Sequence, residues 1–237
     1  MSRLERIRAV VFDLDGTMLN TEDIFEDAGQ QLMQRRGLTM TREIRRSMLG
    51  RRPLEAFTAL KQATGIADDI ESLLQETKQI FQELAADRVQ LMPGVEWLLQ
   101  LTEDLHLPRA VATSSPQKYM RWLLDLVGLY SRFAFVLTAE DVVQGKPHPE
   151  IYLKAAARLR VDPQEMLVLE DSETGVAAAA AAGAQVVAVP NRHTDYGDFS
   201  RAQLRVNSLQ DERLTVLLQE YACSERSDEN RDSRRNK

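Results

Sequence analysis

Asp13 and Asp15, two residues apart near the N-terminus, are the first side chains of this chain whose spacing suggests chemistry. They follow the apolar run Ala9-Val10-Val11-Phe12 and precede Gly16-Thr17. A continuous apolar run bounded by a turn reads as a buried parallel strand. Alternate residues of a strand share a side, so both carboxylates face one place if the strand geometry persists. Gly16 then lets the chain turn sharply or approach a ligand closely. Like charges aimed at one spot repel unless a cation or a proton lies between them. Solvated acids at a strand end share the same pattern, so other residues must decide.

Those residues come later in the chain. Thr113 and Ser114 follow the apolar stretch Arg109-Ala110-Val111-Ala112, and Glu170-Asp171 follow Met166-Leu167-Val168-Leu169. Lys146 sits in Gly145-Lys146-Pro147-His148-Pro149, a stiff loop that could hold an ammonium over the same edge. Each has a plainer reading: Thr113 to Ser115 as a helix cap, Lys146 as a solvated charge. In an open parallel sheet, however, ligands bind outside the carboxyl ends of the strands. Four carboxylates, a hydroxyl and a lysine collected there make a coherent set. Hard oxygen ligands suit Mg²⁺, which takes a few carboxylates, waters and a substrate phosphate. A carboxylate left over can act as nucleophile and form an acyl phosphate. A second can protonate the leaving alcohol and then deprotonate the attacking water. Lysine and Mg²⁺ offset charge on the transferring phosphoryl group.

The elements that must position these residues follow from hydrophobic periodicity. Residues 21–37 form an amphipathic helix, with Ile24, Phe25, Ala28, Leu32 and Met33 on one face and Gly37 as its stop. Further helices are expected over 41–49, 54–64 and 68–87, with no strand among them. They make a helical insertion of about 70 residues, far longer than an ordinary connection. After Pro93-Gly94, helices at 95–105, 117–126, 149–159 and 174–182 alternate with strands at 109–113, 133–137, 166–169 and 185–189. Such alternation predicts an α/β fold, a parallel sheet with helices on both faces. The alanines at 177–182 let a helix pack close to the sheet, with Gly183 as its stop. Residues 224–237 carry no apolar side chain, with four acids and five bases, and are expected to be disordered.

The 237 residues are 43% hydrophobic and 28% charged, enough for a sizeable core without metal or disulfide staples. The net charge of −6 argues against nucleic acid as a partner. Cys223 is the single cysteine, so no internal disulfide can form, and a reducing, cytoplasmic setting is expected. No signal peptide or spanning helix is expected, hence no membrane partner. His106, His148 and His193 lack metal-ligand spacing.

Taken in order, these motifs resemble the haloacid dehalogenase superfamily, in the branch with a helical cap inserted after the first strand. The motifs are Asp13-Leu14-Asp15-Gly16-Thr17, the strand ending in Thr113, Gly145-Lys146-Pro147, and Leu169-Glu170-Asp171-Ser172 with Gly175-Val176 and Ala181-Ala182-Gly183. The resemblance implies a Rossmann-like core over 1–19 and 90–222, a mobile helical cap over 20–89 that closes over substrate, and a tail at 223–237. It makes Asp13 the nucleophile and Asp15 the general acid/base. Thr113 and Lys146 would bind phosphoryl oxygens, with Gly16 and Ser114 on the phosphate side. Mg²⁺ would be held by Asp13, Asp171 and the backbone carbonyl of Asp15, with Glu170 in or beside the shell. Arg51 and Arg52 are cap candidates for the substrate's non-reacting end, or else a solvated turn after Gly50.

Within the superfamily, the second aspartate argues against dehalogenation. A β-phosphoglucomutase would carry a histidine where this chain has Phe25, and Arg51-Arg52-Pro53 departs from the mutase pattern. Leu91-Met92-Pro93-Gly94, the segment from Ala110 to Ser115, and Val206-Asn207-Ser208-Leu209 resemble the pseudouridine-5′-phosphate phosphatase group. The expectation is Mg²⁺-dependent hydrolysis of a small phosphomonoester metabolite by a monomer or weak dimer, with a phosphosugar mutase, and after it a non-catalytic binding protein, as the alternatives. Sugar phosphates, phosphoglycolate, glycerol phosphates and nucleotide monophosphates all remain open.

Overall fold

Four apolar residues in a row, two of them β-branched, give β1 (Ala9–Phe12), which is buried along its whole length. The computed structural model describes residues 6–48 and 53–222, and β1 lies at the centre of its sheet. The other strands are β2 (Arg109–Ala112), β3 (Phe135–Leu137), β4 (Met166–Glu170), β5 (Gln185–Ala188) and β6 (Leu204–Arg205). All pair in parallel in the order β3-β2-β1-β4-β5-β6. Phe12 stands opposite Val111 on one side and Leu169 on the other. The register therefore brings Asp13, the end of β2 and Glu170 to one edge.

Helices fill the connections: α5 (Val95–Asp104), α6 (Gln117–Leu126), α7 (Glu150–Leu159), α8 (Glu173–Ala181) and α9 (Glu212–Tyr221). In α8, Val176, Ala178 and Ala179 are fully buried while Ala181 is exposed, so a face of mostly small side chains lies on β4 and β5. Tyr152, Ala155 and Ala156 of α7 join the same core as Val11, Val168 and Val186.

The chain divides into two units, Thr21–Val89 and the remainder. The first contains helices only among its described residues: α1 (Thr21–Gln34), α2 (Arg42–Met48), α3 (Pro53–Thr64) and α4 (Ile70–Arg88). Ile24, Ala28, Leu32 and Met33 of α1 are buried, as are Leu73, Ile80, Phe81 and Ala85 of α4, and the two helices pack together. Phe25 is not one of that buried row. Its ring is 40% exposed and stacks on Phe81 with centroids 4.0 Å apart. Arg36 bridges Asp68 and Glu76 at 2.7 and 2.6 Å.

Other differences from the expected elements have local causes. β4 runs one residue further than its apolar run, because Glu170 pairs through its backbone with Ala188. β3 starts at Phe135, after a 3-10 turn at Tyr130–Arg132. β6 has two residues, too few for any alternation to register, and α9 is a further helix outside the expected elements. Among the described residues, no helix is long and apolar enough to cross a membrane. Gly50, Arg51, Arg52, Cys223 and residues 224–237 lie outside the described residues.

Candidate active site

The edge beyond β1, β2 and β4 is organised around one ammonium. Lys146 Nζ lies 2.6 Å from Asp13 Oδ1, 2.6 Å from Glu170 Oε1 and 3.0 Å from the Ala112 carbonyl. A lysine has three N–H donors, and here each has an acceptor at the end of a different strand. Asp13, which follows β1, donates its own N–H to the Leu169 carbonyl, which ties it to β4. Burial pushes the Asp13 carboxyl well above the usual carboxylate range against the pull of Lys146, and the charges on Glu170 and Asp171 push it further. For Lys146, burial works against the charge, but Asp13 and Glu170 outweigh it and hold the ammonium well above its ordinary value.

Glu170 is completely buried. Besides Lys146, its carboxylate accepts the Tyr152 hydroxyl at 2.6 Å and the Ser172 hydroxyl and N–H at 3.0 and 3.3 Å. It occupies the space beneath the first turn of α8. A Cβ at Gly175 would stand 1.9 Å from Glu170 Oε1, so glycine there makes room for the carboxylate.

Asp171 is held from the other side. Asn191 Nδ2 donates to its Oδ2 at 2.8 Å and to the Gly16 carbonyl at 3.1 Å, and the Thr17 hydroxyl reaches Oδ1 at 3.3 Å. Gly16 has φ +77°, and a Cβ there would lie 2.5 Å from Asp171 Oδ2. Carboxylate oxygens of Asp13, Glu170 and Asp171 all fall within 4.8 Å of one another. Three buried hard-oxygen groups at that spacing fit a small divalent cation such as Mg²⁺. The Asp15 to Leu19 bridge uses the Leu14 carbonyl and the Gly16 N–H, and leaves the Asp15 carbonyl out of the exchange.

The Asp15 carboxylate has different partners from that of Asp13. The strand ends at Phe12, and Asp15 lies beyond its last pleat. Its Oδ2 accepts the Ser115 hydroxyl at 2.6 Å and the Thr113 hydroxyl at 3.4 Å, while its Oδ1 accepts the Tyr119 hydroxyl at 2.9 Å. The two acids thus sit on the same edge but engage separate groups. The reading of Thr113 to Ser115 as a helix cap gives way to this arrangement. Pro116 precedes α6 without a side-chain cap, and the Gln117 N–H goes to the Glu140 carboxylate instead. Ser114 is exposed, and the neighbouring Ser115 turns inward.

Three residues of this cluster carry no signal in the sequence taken alone: Tyr119, Tyr152 and Asn191. Asn191 stands just past β5, so the rule that named the other strand ends reaches it too. Tyr119 lies in the first turn of α6, just beyond the loop that follows β2.

This geometry can be set beside known proteins. A family model for haloacid dehalogenase-like hydrolases matches residues 10–189, which include every residue of the cluster except Asn191. The chain belongs to that family. A phosphorylated carbohydrates phosphatase of Thermotoga maritima is 33% identical over 181 residues, 75% of this chain and 82% of that protein. CbbY of Rhodobacter sphaeroides, solved with phosphate, superposes with a TM-score of 0.74 at 26% identity, over 86% of this chain and 96% of that one. β-Phosphoglucomutase of Clostridium difficile does so at 0.68 and 25%, over 91% and 98%. This haloacid dehalogenase-like hydrolase is an enzyme of the phosphatase type, acting on phosphorylated substrates.

Proposed function

We propose that the chain hydrolyses small phosphomonoester metabolites through an aspartyl-phosphate on Asp13. The observation that carries this reading is the 2.6 Å contact of Lys146 with Asp13 inside a buried group of acids. A buried carboxylate touching a fixed cation is held where a phosphoryl group can be both attacked and neutralised. In the first step an Asp13 oxygen bonds to phosphorus, the bond to the leaving oxygen breaks, and Asp15 gives that oxygen its proton. In the second, water attacks the phosphorus, Asp15 takes the water's proton, and orthophosphate leaves with Asp13 restored.

Asp13, Asp171 and the Asp15 carbonyl would hold Mg²⁺, which when bound would offset the phosphate's charge. Glu170 lies beside that set, and its contacts with Lys146, Tyr152 and Ser172 favour a role as the lysine's counter-ion. Thr113 and Lys146 would orient phosphoryl oxygens. For the substrate class, the similarity to a phosphatase of phosphorylated carbohydrates favours sugar phosphates.

Phosphate release is to be measured over sugar, glycerol and nucleoside monophosphates with and without Mg²⁺. Activity that needs the metal and falls by about 10³-fold or more in Asp13→Asn is the expected result. Full activity in that variant, or in excess chelator, removes the reading. The likeness to a β-phosphoglucomutase supports a second reading, phosphoryl transfer between positions of one sugar. Isomerised sugar phosphate without net phosphate release would select it.

A further inference from the structure

We propose that Tyr119 and Ser115 are positioning residues for Asp15, and that they speed expulsion of poor leaving groups. The inference rests on the proposed role of Asp15 as general acid. Both of its oxygens are occupied, Oδ1 by the Tyr119 hydroxyl at 2.9 Å and Oδ2 by the Ser115 hydroxyl at 2.6 Å. Both donors belong to one short piece of chain, the turn after β2 and the first turn of α6. That turn is itself fixed: the Ser115 N–H donates to Thr113 Oγ1 at 3.0 Å, and the Glu140 carboxylate takes the Gln117 N–H at 3.0 and 3.2 Å. Because Glu140 caps the helix, the Ser115 hydroxyl is not needed for capping and can serve Asp15.

The consequence is chemical. As the P–O bond breaks, the Asp15 proton moves to the leaving oxygen and negative charge develops on the carboxylate. Two hydroxyls already aimed at its two oxygens meet that charge without rearrangement. The benefit scales with how much the leaving oxygen needs the proton. An alkoxide needs it, whereas p-nitrophenolate leaves readily without it. The Lys146 ammonium, by contrast, bonds Asp13, Glu170 and the Ala112 carbonyl.

The test compares kcat/KM for an alkyl phosphate and for p-nitrophenyl phosphate, in wild type, Tyr119→Phe and Ser115→Ala. This parameter covers steps through the first phosphoryl transfer and leaves out hydrolysis of the aspartyl-phosphate. In Tyr119→Phe, which keeps the ring and loses only the hydroxyl, kcat/KM should fall about tenfold for the alkyl ester and less than about threefold for the aryl ester. Ser115→Ala should shift the ratio the same way, and thermal midpoints show whether each variant is folded. An unchanged ratio in both folded variants, equal losses on both substrates, or a gain in either overturns the inference. Loss of the parent reading shows differently, as wild type and Asp13→Asn then release phosphate alike.

Discussion

Lys146 has the most to lose from a single substitution. Its side chain is 5% exposed and lies between two buried carboxylates. Breaking a buried pair from one side costs about 3–5 kcal/mol, because the partner charges stay buried and unpaired. Lys146→Met keeps the length and apolar stem and removes the charge. It is expected to lower stability by about that amount, seen as a shift in the urea midpoint, and to cut phosphate release by about 10²-fold or more. Tyr152 shows why part of this cluster was not legible in the sequence. It falls on the buried face of α7 beside Ala155 and Ala156, where an aromatic reads as core. Only the fold reveals that its hydroxyl has a carboxylate to reach. The acids are easier to find, since charged residues after apolar runs break the pattern, and Lys146 stands out through the stiff Gly145-Lys146-Pro147 loop around it.

At the scale of elements, the loop bearing Lys146 depends on the residue that starts α7. Glu150 accepts the Val143 and Gln144 N–H groups at 3.0 Å each and the Lys154 ammonium at 2.7 Å. Lys154 and then those two N–H groups pull its carboxyl from 4.5 down to about 2. A depressed acid contributes stability in full above its unfolded value, and the contribution is lost as pH falls from about 4.5 to about 2. Glu150→Gln should therefore flatten the decline of the urea midpoint between pH 5 and pH 3. An unchanged slope in the variant would show that the clamp contributes nothing. Along α8 the alanines sort by face. Ala179→Leu puts a larger side chain against β5 and is expected to cost about 1–3 kcal/mol, whereas Ala181→Glu, on the exposed face, should stay within about 0.5 kcal/mol. Denaturant melts of the pair decide it. The alternation of helix and strand makes most of this layout readable, because the helices keep one apolar period and the buried strands are continuous apolar runs. β6 escaped because two residues have no period, and the end of β4 because pairing is a backbone property that a buried glutamate does not interrupt.

For the whole molecule, the order of strands in space differs from their order in the chain. β1 pairs with β2 and β4, whose first residues lie about 100 and 157 positions after its own. A chain emerging from the ribosome therefore carries β1 first, with four apolar residues and two unsatisfied backbone edges. One edge is covered once β2 is made, and the other waits for Met166–Glu170. Unpaired strand edges recruit other chains. A fragment ending after α7 lacks β4, and is expected to sediment as aggregate where the full chain stays in the supernatant. The strand that serves the site from the centre of the sheet is thus the one most dependent on protection while the protein is being made.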